Sequence, residues 1–424
     1  MAEMTASDAV TPRMPQAPAN GERVACQADA TVSLGFGLQW RSTLAVHNDW
    51  IYAPSLNLWR DSFPDDLLAD LVGAFPGDTR AHDHSPGQLL AARDPRDYLS
   101  VVASRFNHRY GGQTHLTPHA GRFYPRGVIA GVRGIEPQNT APMRVVTVGE
   151  ESLDVDLSHP LVDKSLHLTT CLLDITGSGA QGGVCTEVAE WLTAGGPGMQ
   201  SRYPGIVTDF WSPDAFARDD TADDSEFYGT PRLVNHIDST ASSQVAAVYR
   251  QLIAPGARVL DLMSSWQSHL DADMAPGELT GLGLNAAELQ ANKRLTRSLV
   301  HDLNQSPQMP LDTECFDAVI CTASVEYLID PVAVFRDVAR VLRPGGVFIV
   351  TFSNRWFPPK AINLWSQLHE FERPALVLEY FFRSDAFERM HSWSVRGLPR
   401  PVDDKYAARL KFSDPVHAVW AYRH

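Results

Sequence analysis

RVLDLMSSWQSHL, residues 258–270, is the stretch on which the reading of this chain turns. Its first six residues, RVLDLM (258–263), form an almost unbroken apolar run, as a strand buried on both faces of a parallel sheet does. Just before it, SQVAAVYRQLI (243–253) has the spacing of an amphipathic helix and ends at Pro255-Gly256. After it the pattern repeats. LTGLGL (279–284) reads as a second strand, with Asn285 capping a helix through AAELQANKRL. SLVHDL (298–303) and FDAVICT (316–322) read as a third and a fourth. Asp330 as N-cap and Pro331 at the first helical position open another helix, striped by Val332, Phe335, Val338, Ala339 and Leu342 and stopped at Gly345-Gly346. GVFIVTFS (346–353) is the fifth strand; a helix near 375–391 precedes strand candidates at 394–398 and 416–422. This alternation predicts a doubly wound, mostly parallel α/β sheet with a ligand crevice at the C-terminal ends of its strands.

The flanking sequence is different in kind. Residues 31–177 hold short apolar runs broken by Gly, Pro and Asp, such as 31–38, 143–148 and 152–157. SLHLTTCLLDI (165–175) alternates at period two, and PDDLLADLVGAF (64–75) is helical, so an α+β domain with an antiparallel sheet is expected. The expected organisation is a disordered tail at 1–28, that domain at 29–177, a Gly-rich linker at 178–222 and the α/β domain at 223–424. With 424 residues and a formal net charge of −14, neither nucleic acid nor an anionic membrane is the expected partner. Five scattered cysteines suggest free thiols, and no run approaches the roughly 18 apolar residues of a membrane span. A cytoplasmic protein is expected. His82 and His84 offer two metal-ligand side chains without a third, so no metal site is expected.

RVLDLMSSWQSHL, LTGLGLNAAEL, VHDLN, FDAVICTASVEYLIDP and RVLRPGGVFIVTFSN form an ordered series that resembles class I S-adenosylmethionine (SAM) methyltransferases across 240–424. LDLMSSW, with FYGTPRLVNHID (227–238), is similar to one divergent bacterial subgroup. The resemblance implies a Rossmann-like fold ending in an antiparallel hairpin, SAM as cofactor, and a small-molecule or peptide acceptor. In the family's D/E-x-G-x-G-x-G loop Asp261 matches the acid, while Met263, Ser265 and Gln267 stand in place of glycines. Gly283 replaces the acid that grips the ribose, leaving Asn285 or Glu288 for that task. The resemblance implies Asp302 as the adenine partner, with Ser264, Leu303 and Ser324 completing the expected cofactor set.

SAM carries its own leaving group, so the protein has to align a nucleophile and exclude water. His236 is the candidate base, supported by Asp238 or Tyr228; a structural histidine is the other reading. Arg232, Trp266, His269, Glu326 and Tyr327 are candidate acceptor contacts, with core packing open for Trp266 and a solvated helix start for Glu326.

In the N-terminal part, LNLWRDSFPDDLLADLVGAFPGD (56–78) and, after MRVVTV, LDVDLSHPLVDKSLHLTTCLLDI (153–175) resemble FKBP-type prolyl isomerases of the SlyD-like branch. GRFYPRG (121–127) fits that branch's chaperone flap. The resemblance implies substrate recruitment or folding assistance, with Trp50, Trp59, Phe63 and Tyr98 as a possible apolar pocket or as core. The alternative reading of the whole chain is an isomerase or chaperone module on a non-catalytic methyltransferase scaffold.

Overall fold

The computed structural model describes residues 10–15, 24–111, 116–179 and 182–424. The first half runs β1 (Ala30–Arg41), β2 (Ala45–Asn57), α1 (Asp65–Leu71), β3 (Thr79–His84), β4 (Tyr98–Val102), β5 (Phe123–Pro125), β6 (Pro142–Val148), β7 (Ser152–Asp156), β8 (Leu166–Ser178) and α2 (Val188–Thr193). The second half begins with α3 (Asp224–Phe227), α4 (Ser239–Leu252), β9 (Arg258–Leu262), β10 (Glu278–Gly283), α5 (Ala286–Ala291), β11 (Arg297–Val300) and β12 (Phe316–Thr322). It closes with α6 (Pro331–Val341), β13 (Leu342–Phe352), α7 (Asn363–Gln367), α8 (Arg373–Ser384), β14 (Phe387–Arg396) and β15 (Val416–Arg423).

Strands β11, β10, β9, β12 and β13 pair in parallel in that order, and β15 then pairs antiparallel with both β13 and β14. The order reverses between β9 and β12, which is where a doubly wound sheet opens a crevice. Strand alternation sends Val259, Leu279, Ile320 and Ile349 to one face, against Val245, Val248 and Tyr249 of α4. Leu260, Leu282, Val319 and Phe348 go to the other, against Phe335 and Val338 of α6 and Phe381 of α8. Helices on both faces bury β9, β10, β12 and the second half of β13, while the edge strand β11 stays largely exposed.

The two halves share one sheet. β14 pairs in parallel with β2 from Met390↔Ala45 to Arg396↔Ile51, and β1, β8 and β3 follow antiparallel, giving eleven strands. A separate sheet, β4-β7-β6-β5, carries the 121–127 segment and packs around Phe106, Tyr124, Val145 and Val155. Trp50 lies in the core on the α4 face and Phe63 beside the β1–α1 core, while Trp59 and Tyr98 are exposed, so these four line no common pocket. His82 Nε2 lies 2.6 Å from Asp70 Oδ2, a hydrogen-bonded pair.

Four expectations are corrected by packing. Residues 10–15, inside the stretch expected to be disordered, lie along α4: Val10 is buried, its carbonyl accepts from Trp393 Nε1 at 3.0 Å, and Gln244 Nε2 donates to Arg13 O at 2.7 Å. The 178–222 stretch is no free linker. It contains α2, buries Met199 and Phe210, and ties Arg202 Nη2 to Glu379 Oε2 at 2.7 Å. The third parallel strand stops at Val300, because residues 301–305 turn around the Asp302 carboxylate. The helix expected at 375–391 ends at Ser384, where Asp385 takes a left-handed φ of 54° and releases the chain into β14. Among the described residues no helix is long and apolar enough to cross a membrane.

Candidate active site

A cavity of about 1190 Å³, counted out to its mouth, lies at the C-terminal ends of β9, β10, β11 and β12. Asp261 of β9 is buried on its floor and accepts from Ser264 Oγ at 2.6 Å; burial pushes its carboxyl up to about 6, opposed by the hydroxyls of Ser264 and Ser268. The chain then turns at Met263 with φ 56°, in the left-handed region where glycine is unstrained and a side chain is not. Ser264 N donates to Leu282 O at 2.7 Å and tacks the loop onto β10. Its carbonyl oxygen presses on the next strand position, where a Cβ on Gly283 would sit only 2.1 Å away. No side chain fits at 283. The missing ribose acid therefore has a packing cause.

The loop is pinned from α5. Ser265 Oγ donates to Glu288 Oε2 at 2.5 Å, and Asn292 Nδ2 donates to Ser268 Oγ at 2.8 Å and Ser265 O at 3.2 Å. Asn285 caps α5 through Ala287 N and Glu288 N, while its amide donates to Tyr228 O at 2.8 Å. Glu288 faces the cavity and accepts from Arg232 N at 2.6 Å. Across the cavity, Asp302 Oδ1 accepts from Asn304 N at 2.8 Å, and Oδ2 makes no hydrogen bond among the described residues. Leu303 is buried beside it, and Ser324 Oγ turns back to Thr322 O at 2.9 Å.

Residues 224–237 roof the cavity. Tyr228 presents a buried hydroxyl that finds no hydrogen-bond partner among the described residues, and burial raises its pKa. Trp266 Nε1 donates to Val234 O at 3.2 Å. His269 Nδ1 pairs with Ser242 Oγ at 2.9 Å, and burial holds its pKa down at about 4. A second, more open cavity adjoins the first and shares His236, Ala323, Tyr327 and Phe357 with it. Arg355, Trp356, Lys405 and Tyr406 line its far side. The His236 ring packs edge-on against Phe357 at 5.2 Å, and partial burial lowers its pKa.

Asp261, Met263, Ser264, Ser265, Asn285, Asp302, Leu303, Ser324, Tyr228, Arg232, His236, Trp266, His269 and Tyr327 thus converge on the first cavity. Two candidates do not. Asp238 caps α4 at Ala241 N, takes Ser413 Oγ at 2.8 Å and Asp414 N at 2.7 Å, and pairs with Arg400 at 3.3 Å. Its oxygens are committed, so it does not back His236. Glu326 sits in the turn after β12 with its side chain buried and lines neither cavity; burial pushes its carboxyl up to about 7, and Oε2 has no hydrogen-bond partner among the described residues. Asn292 and Phe357 were missed. The 3- and 4-residue spacing of Asn285, Glu288 and Asn292 puts them on one helix face, and that was the available signal.

A doubly wound sheet with a cavity at its switch point defines the class: an α/β protein with the crevice in which such sheets place their ligands. Residues 264–350 match the family described as the methyltransferase domain. It is similar to the ubiquinone biosynthesis O-methyltransferase of Xanthomonas campestris pv. campestris (strain B100), 32% identical over 119 residues, which cover 26% of this chain and 48% of that protein. The enzyme of the same name from Xanthomonas oryzae pv. oryzae (strain PXO99A) is 33% identical over the same shares. The chain spans about half the length of these curated relatives. Among solved structures, an S-adenosylmethionine-dependent methyltransferase from Mesorhizobium loti aligns at TM-score 0.29 and 18% identity, over 42% of this chain and 96% of that one.

Proposed function

We propose that this protein transfers the methyl group of SAM, held in the first cavity, to a small-molecule or peptide acceptor in the second. The observation that carries this reading is the wall the two cavities share, residues 234–237 with Ala323, Tyr327 and Phe357. The residues present fit the cofactor: a Tyr228 hydroxyl without a partner among the described residues and the carboxylates of Glu288 and Asp302 line the first cavity. SAM, when bound, supplies a methyl carbon made electrophilic by a sulfonium. Asp302 Oδ2 is the acceptor for the adenine amino group, beside apolar Leu303. Glu288 takes the ribose hydroxyls, since position 283 admits no acid. Each Glu288 oxygen already accepts one protein hydrogen bond and has capacity for another.

His236, kept neutral near pH 7 by its lowered pKa, accepts the proton of the acceptor's nucleophile. Tyr327 and Phe357, fixed by the 2.9 Å bond from Phe357 N to Tyr327 Oη, exclude water from the shared wall. The strands of 29–177 recruit or shape the acceptor, a role supported by their FKBP-like sequence. S-adenosylhomocysteine (SAH) at 100 times its Kd should raise stability by about 2.7 kcal/mol, read as a rise in Tm. An unchanged Tm together with no heat of binding would remove the reading.

A further inference from the structure

Four carboxylates line the first cavity, those of Asp224, Asp261, Glu288 and Asp302, but among its lining residues Arg232 is the sole Lys or Arg. Asp224 is already matched by Arg218 Nη1 at 2.8 and 2.9 Å and by Lys360 Nζ at 3.2 Å. Asp261 is held by a hydroxyl. Arg232 itself forms no ion pair among the described residues. Its Nη2 donates to Phe227 O at 3.0 Å, and its guanidinium centre rests 4.5 Å over the Phe227 ring and 5.4 Å over that of Phe357. The fork is thus held in place with donors to spare, the arrangement that binds a carboxylate at low entropic cost.

Its position says which carboxylate. Phe357 touches both Arg232 and His236, so the guanidinium stands beside the wall between the cavities. If the first cavity holds SAM, the sulfur must face that wall for the methyl group to cross it. The amino-acid arm branches from the same sulfur and so starts beside Arg232. We propose that Arg232 is the carboxylate anchor of the first cavity, selecting an adenosine that carries an amino-acid arm over one that does not. This rests on the methyl-transfer reading above and assigns Arg232 to the cofactor rather than to the acceptor.

Titration calorimetry on the full chain with SAH and with 5′-methylthioadenosine, which keeps the adenosine and sulfur but lacks the arm, tests it. Wild type should bind SAH about 10- to 100-fold more tightly than methylthioadenosine, the range of a charge-assisted hydrogen bond. Arg232→Met should bring SAH down to within a few-fold of methylthioadenosine and leave the latter unchanged, which also shows that the variant is folded. The bond from residue 232 to Glu288 comes from the main chain and survives the substitution. Arg232→Lys should recover part of the loss. If Arg232→Met binds SAH as wild type does, or loses both ligands equally, the assignment to Arg232 fails while the methyl-transfer reading stands. If wild type binds neither ligand, both fall.

Discussion

Gly283 explains most of what is unusual about this site. Its missing side chain makes room for the Ser264 carbonyl, so Gly283→Ala must either move the loop or separate β10 from it. Overpacking of this kind costs about 1–3 kcal/mol, and Gly283→Ala should show it as a lower Tm together with weaker SAH binding. Glu326 predicts a pH effect. Its carboxyl is raised to about 7 in the folded chain by burial, above its unfolded value of about 4.5. The folded state therefore favours the protonated form, and that stabilisation is complete below the unfolded value and lost as pH rises through 7. Wild type should lose Tm relative to Glu326→Gln between about pH 4.5 and 7.5, measured by thermal melts across that window. For His236, whose pKa is lowered, methyl transfer should be flat above about pH 6.5 and fall on acidification, and His236→Gln should abolish that limb.

At the scale of elements, the helix that follows β10 does the work usually given to glycines in the loop. Asn285 starts α5, Glu288 holds Ser265, and Asn292 at its end holds Ser268 and the Ser265 carbonyl. Asn292→Ala strips two partners from the loop and should cost about 1–2 kcal/mol, with a drop in SAH affinity, by melting and calorimetry. Much of this was legible beforehand. The caps at Asn285 and Asp330, the apolar strands and the residues around Asp261 and Asp302 are local patterns, set by period and by turn chemistry. What escaped was non-local. Whether Glu326 or Tyr327 faces the cavity is decided by how a single turn after β12 rotates, and Asp238 is claimed by Arg400 and Ser413, residues more than 160 positions away.

For the whole molecule, the pairing of β14 with β2 joins segments separated by more than 340 residues, which no sequence periodicity records. The same holds for Val10 beneath Trp393 and for 196–217 folded back over α7 and α8. The 223–424 segment made alone would expose the β14 edge and the Trp50 side of its core, so it should aggregate where the full chain stays dispersed, as sedimentation would show. A soluble fragment with a cooperative melt would contradict this. The two-cavity arrangement itself is tested most directly by a crystal structure of the full chain with SAH. Adenine should lie at Asp302, the ribose hydroxyls at Glu288 and the sulfur at the wall of His236, Tyr327 and Phe357. SAH bound elsewhere, or with its sulfur turned away from the second cavity, would contradict it.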